Sequence, residues 1–83
     1  MASYSELRTK LSKIRGSHEP PTEKTKKLYE LVDEVRDTAT QLGEVASALI
    51  LDGKEEQGFK MQQASRQVLE LNVEIRELIS ELE

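Results

Sequence analysis

Apolar side chains recur along this chain at steps of three and four, in three blocks separated by glycine and proline. Steps of three and four place side chains on one face of an α-helix, so each block predicts an amphipathic helix. The fold class expected is therefore all-α. In the first block Tyr4, Leu7, Leu11 and Ile14 form one narrow stripe. Ser3 with Glu6 three residues on is a capping-box pattern, and Gly16 ends the segment. This gives a short amphipathic helix within residues 1–15. Residues 16–24 read as a Pro-rich linker, because Glu19 and Pro20 each precede a proline and favour extended backbone.

Residues 25–83 carry the strongest periodicity. Thr22 or Thr25 is a suitable N-cap for the second helix. In heptad terms Leu28, Val35, Leu42 and Leu49 are one core position, Leu31, Thr38 and Val45 the second, and Val32, Ala39 and Ala46 lie beside them. The third helix repeats the rule with Met61, Ala64, Val68, Leu71, Ile75, Leu78 and Leu82. If the two run antiparallel, facing residues have numbers of constant sum. Leu49 then meets Met61, Ala46 meets Ala64, Leu42 meets Val68 and Ala39 meets Leu71; Val35 meets Ile75, Val32 meets Leu78 and Leu28 meets Leu82. A single continuous helix gives no reason for that match. The segment between them is expected to turn near residues 52–58, with Gly53 in the left-handed conformation that stops a helix. Gly58 belongs either to the turn or to the first turn of the third helix.

The same segment is a poor ligand loop. Lys54 stands where a calcium loop needs its second oxygen ligand. Ala48 and Glu55 stand where a phosphate loop needs glycine and Ser/Thr.

A hairpin of two helices leaves apolar side chains over. Leu69 and Val73 are expected on the back of the third helix, Ile50, Leu51 and Phe59 at the tip, and Leu31, Val45 and Ile79 beside the seam. Eighty-three residues with three aromatics make a marginal core on their own. The surplus is therefore expected to be buried in a larger helical bundle, against a second copy or another helical protein. Leu7, Leu11 and Ile14 of the first helix join that expected surface. The small residues Ala39, Gly43, Ala46 and Ser47 suit either a tight hairpin or the close approach of another helix.

Composition narrows the chemistry. There is no cysteine and one histidine, His18, in the linker, so thiolate zinc sites and His-based nucleophilic triads lack their parts. No apolar run approaches the ~20 residues that span a bilayer, and the first residues lack an apolar signal core, so a cytoplasmic, non-membrane protein is expected. The expected function is non-enzymatic protein–protein interaction, as an adaptor, assembly factor or small chaperone-like subunit, with no cofactor and no metal.

The net charge of −4 is unevenly spread. Residues 1–27 hold seven Lys/Arg against three Asp/Glu, and residues 28–83 hold five against thirteen. The basic patch, Arg8, Lys10, Lys13, Arg15, Lys24, Lys26 and Lys27, supports an alternative: a small nucleic-acid-binding homodimer. The competing expectation is that this basic head packs on the acidic body, with Lys24 to Lys27 opposite Glu77 to Glu83. A more remote alternative comes from acidic stripes at helical spacing, Glu30, Asp33, Glu34 and Asp37 with Glu70, Glu74, Glu77 and Glu81. "YELVDEV" and "VEIRELI" faintly resemble the paired E-x-x-E/D motifs of all-α nucleotide pyrophosphohydrolases. That resemblance implies Mg²⁺ and a pyrophosphate-releasing activity.

Overall fold

The computed structural model describes residues 3–83; Met1 and Ala2 of the expected first segment lie outside them. The chain is all-α. Helix α1 spans Tyr4–Arg15, α2 spans Pro21–Leu51 and α3 spans Glu55–Leu82. α2 and α3 form a long antiparallel hairpin, and α1 lies along its open end, giving a rod of 50 × 18 × 14 Å.

Local chemistry sets the helix ends. Ser3 caps α1 as its pattern requires, its hydroxyl accepting from the Glu6 N–H at 3.2 Å. The linker is shorter than expected: it spans Gly16 to Pro20, and α2 starts at Pro21, before either threonine. Pro21 occupies the first helical position, where the missing N–H would be unpaired anyway and the fixed φ already fits. Pro20 stays extended because a proline follows it. The α2–α3 connection is also tighter than residues 52–58, comprising only Asp52, Gly53 and Lys54. The Gly53 N–H bonds the Ile50 carbonyl at 3.0 Å and the Lys54 N–H bonds the Leu49 carbonyl at 2.9 Å. That bond pair is a Schellman motif, and Gly53 sits at φ 82° as it demands. Glu55 and Glu56 then place negative charge on the positive end of the α3 dipole.

Gly58 falls inside α3, not in the turn, and it is buried. A Cβ there would lie 2.5 Å from Ile50 Cγ1 and 3.0 Å from the Ala46 carbonyl oxygen. Glycine at this position therefore lets the two helices touch immediately after they reverse.

The hydrophobic cluster combines all three helices: Leu7 and Leu11 from α1, Leu28, Leu31, Val32, Val35 and Ala39 from α2, and Val68, Leu71, Ile75 and Ile79 from α3. Two shoulder residues left over in the sequence reading, Leu31 and Ile79, are buried. Thr38, the one buried polar residue among the described residues, satisfies its hydroxyl on the Glu34 carbonyl one turn back at 2.9 Å. α1 is only twelve residues long, so it covers the lower half of the hairpin. Val45 continues the row of Leu31 and Thr38 beyond its reach and stays exposed.

Gly58→Ala tests the close approach at the tip. Ile50 and the Ala46 carbonyl have to shift, and overpacking of this kind costs about 1–3 kcal/mol. Urea unfolding followed by circular dichroism should show a lower midpoint, despite alanine's higher helix propensity.

Candidate interaction surface

The geometry of α1 decides which expected surface residues remain free. Leu7 and Leu11 are buried within the chain, and Ile14 packs against the same cluster. Leu7 and Leu11 are therefore not part of the free surface expected of them, whereas Ile14 is half-buried. The apolar stripe of α1 is used inside its own fold.

Charge fixes α1 to both helices beneath it. Arg8 Nη1 donates to Glu74 Oε2 at 2.8 Å, and Arg15 Nη1 lies 3.7 Å from the other oxygen of the same carboxylate. On the opposite flank Lys10 pairs with Glu34 of α2. Arg8 also lies over the Tyr4 ring, 5.8 Å from its centroid, and its bond to Glu74 raises its affinity for the proton. Lys27 pairs with Glu19 of the linker, and the Lys24 ammonium donates to the Arg15 carbonyl at 3.3 Å, capping the C-terminus of α1. The basic head thus packs on its own chain, but not where expected. Glu74 and Glu34, halfway along the hairpin, take the α1 cations. The C-terminal Glu83 instead accepts from the Tyr29 hydroxyl at 2.9 Å, which raises the Tyr29 pKa.

These pairs bear on both alternatives from the sequence. Arg8, Lys10, Arg15 and Lys27 of the basic patch each face a carboxylate. Lys13 and Lys26 make no ion pair among the described residues. Glu34 and Glu74, on the acidic stripes, each hold cations of α1. Among the described residues no group of three or more His, Cys, Asp or Glu side chains is placed to hold a metal ion, and no helix is long and apolar enough to cross a membrane.

The hairpin has a second groove, on the side away from α1. Near the open end it is a cleft of about 330 Å³ between Tyr29, Asp33 and Arg36 of α2 and Arg76, Ser80 and Glu83 of α3, with Val32 and Ile79 at its base. It continues to a shallower depression of about 200 Å³ lined by Arg36, Ala39, Thr40, Ser65 and Leu69. No residue of α1 lines either part. Leu69, expected on the back of α3, is at the edge of this groove and 46% exposed; Val73 is 57% exposed. At the tip Leu51 is 88% and Phe59 54% exposed, whereas Ile50 is half-buried against Gly58.

Sequence reading missed the roles of Glu74, Glu34 and Asn72. Asn72 lies one heptad from both Ser65 and Ile79, which line the groove, so it shares their face. Its side-chain oxygen is buried and has no hydrogen-bond partner. An asparagine between apolar positions was the available signal.

No protein-family model matches this chain, and no curated protein or solved structure matches it significantly.

Two outcomes check the electrostatic attachment. Glu74→Gln removes the shared partner of Arg8 and Arg15, so exchange of α1 amides with solvent should accelerate. Amides of α3 away from the mutation should be unchanged. The second concerns Glu19, whose carboxyl is held below its ordinary pKa chiefly by the hydrogen bond from Lys27. A depressed folded pKa contributes stability that is present at neutral pH and lost as pH falls through the carboxylate range. Lys27→Met should move the Glu19 titration upward, read by carboxyl carbon NMR.

Proposed function

We propose that this chain is a non-enzymatic helical interaction module, an adaptor or assembly subunit that binds through the half of its hairpin left bare by α1. One observation carries the reading: in a protein with 34% charged residues, the groove away from α1 is lined beyond Arg36 by Ala39, Thr40 and Ser65 and edged by exposed Leu69. Isolated exposed leucines are ordinary, but a bare groove continuous with exposed apolar neighbours is the form of a helix-docking site. Leu69 and Val73 form one contact region, and Leu51 and Phe59 at the tip form a second.

The binding mechanism is burial of these side chains by a helix laid along the groove, with the charges at its open end setting direction. The basic head acts in this reading as an internal clasp, not a nucleic-acid surface, because Arg8, Lys10, Arg15 and Lys27 are paired with Glu74, Glu34 and Glu19.

Leu69→Asp and Val73→Asp should each abolish association while far-UV circular dichroism keeps its helical form, since both side chains are exposed in the folded chain. Chemical cross-linking in a native cell extract provides the readout. Adducts, to itself or to another protein, are expected for the wild type and should fall at least tenfold in either variant. An absence of wild-type adducts of either kind would sink the proposal.

A further inference from the structure

The cleft at the open end of the hairpin sets two like charges opposite each other. Tyr29 and Glu83 close its outer end, joined across it by their 2.9 Å hydrogen bond. Arg36 lies seven residues from Tyr29 on α2, and Arg76 lies seven from Glu83 on α3, so each keeps its neighbour's helical face two turns further in. Facing residues of antiparallel helices have numbers of constant sum, and these two pairs share one sum. Arg36 therefore stands opposite Arg76, and both line the cleft. Glu83 raises the Tyr29 pKa, chiefly through its hydrogen bond, and Arg76 works against it, so the Arg76 charge is felt inside the cleft. Neither arginine makes an ion pair among the described residues. Two carboxylates also line the cleft. Glu83 is engaged by Tyr29, and Asp33, one turn from Arg36, pairs with neither arginine. Between the two facing pairs the floor is apolar, formed by the buried Val32 and Ile79.

The opposite flank shows what such a pair ordinarily holds. There Arg8 and Arg15 share one carboxylate, Glu74. Arg36 and Arg76 repel each other across the cleft with no such anion between them. We propose that the cleft binds a small organic anion, its carboxylate or phosphate group between Arg36 and Arg76 and its apolar body on Val32 and Ile79. Planar guanidinium groups match both oxyanions, because their N–H donors lie in a fork that two oxygens can accept from. The Ser80 hydroxyl, also in the lining, adds a donor. The volume of about 330 Å³ suits one ring or a short chain. Asp33 opposes the anion and limits its affinity. This site stands apart from the interaction reading, whose contacts are Leu69, Val73, Leu51 and Phe59.

The test is an amide NMR titration of the purified full chain with phenyl phosphate and, separately, phenylacetate. Saturable shifts are expected at Tyr29 to Arg36 and Arg76 to Glu83. Neutral benzyl alcohol should bind at least tenfold more weakly, and inorganic phosphate, which lacks the apolar body, at least threefold more weakly. Arg36→Gln and Arg76→Gln should each lower affinity roughly fivefold, the loss of charge-assisted hydrogen bonds, while circular dichroism stays helical. Lys13→Gln, on α1 and outside the cleft, should leave affinity unchanged. Asp33→Asn should tighten binding at least twofold, a gain that a damaged fold would not produce. Binding of one anion only supports the site and assigns its group as phosphate or carboxylate. Absence of saturable shifts with both anions overturns the proposal, as does equal binding of benzyl alcohol or inorganic phosphate, an equal loss in Lys13→Gln, or no gain in Asp33→Asn. The Leu69 and Val73 variants test the interaction module separately, so either reading can fail alone.

Discussion

Two helices packed side by side bury one stripe each and leave a groove on either flank. This chain carries a third helix that is long enough to fill half of one groove. Most other features of the molecule depend on that mismatch. The α2–α3 seam supplies most of the core, from Leu28 and Val35 to Val68, Leu71 and Ile75. α1 completes the core only at the open end, where Leu7 and Leu11 close over Leu31 and its neighbours. Above α1 the structure is a bare two-helix rod whose flanks have no partner in the chain.

The two ends of the hairpin solve different problems. At the tip, the Schellman turn reverses the chain in three residues, and the small Ala46 and Gly58 bring the helices together at once. Little apolar volume is needed there because the backbones approach closely. At the open end the seam carries larger side chains, Leu28, Leu78 and Leu82, and α1 packs over it. Its hold is partly electrostatic: one carboxylate on α3, Glu74, receives two arginines, and one on α2, Glu34, receives a lysine. These pairs are half-exposed, so each contributes modestly. Their geometry nonetheless sets the position of α1 across the seam, with an anchor on each side. The charge asymmetry of the sequence thus has an internal use.

On the opposite flank nothing in the chain plays the part of α1. α2 has a helix-interior glycine, Gly43, beside open space, and the Asn72 side-chain oxygen of α3 is buried without a donor. Each of these is mildly unfavourable in an isolated chain.

The sequence by itself determined the three helices, their antiparallel seam and the left-handed turn at Gly53, because these follow from local rules: apolar period, capping chemistry and the steric freedom of glycine. It also indicated that Leu69, Val73, Leu51 and Phe59 exceed what a hairpin seam can bury. It did not determine the start of α2, where two prolines read as a breaker but Pro21 serves as a first helical residue. Only the tertiary structure decided that α1 packs on its own hairpin, which withdrew Leu7 and Leu11 from the free surface. It also decided that Glu74 and Glu34, not the C-terminal acids, receive the basic head. Gly58 and Gly43 show the same division. Both are glycines within helices, and no local rule separates them, but one is fixed by Ile50 across the seam and the other faces open space. Periodicity specifies which face of a helix is apolar; it does not specify which neighbour covers that face, since coverage depends on lengths and distances between elements remote in sequence.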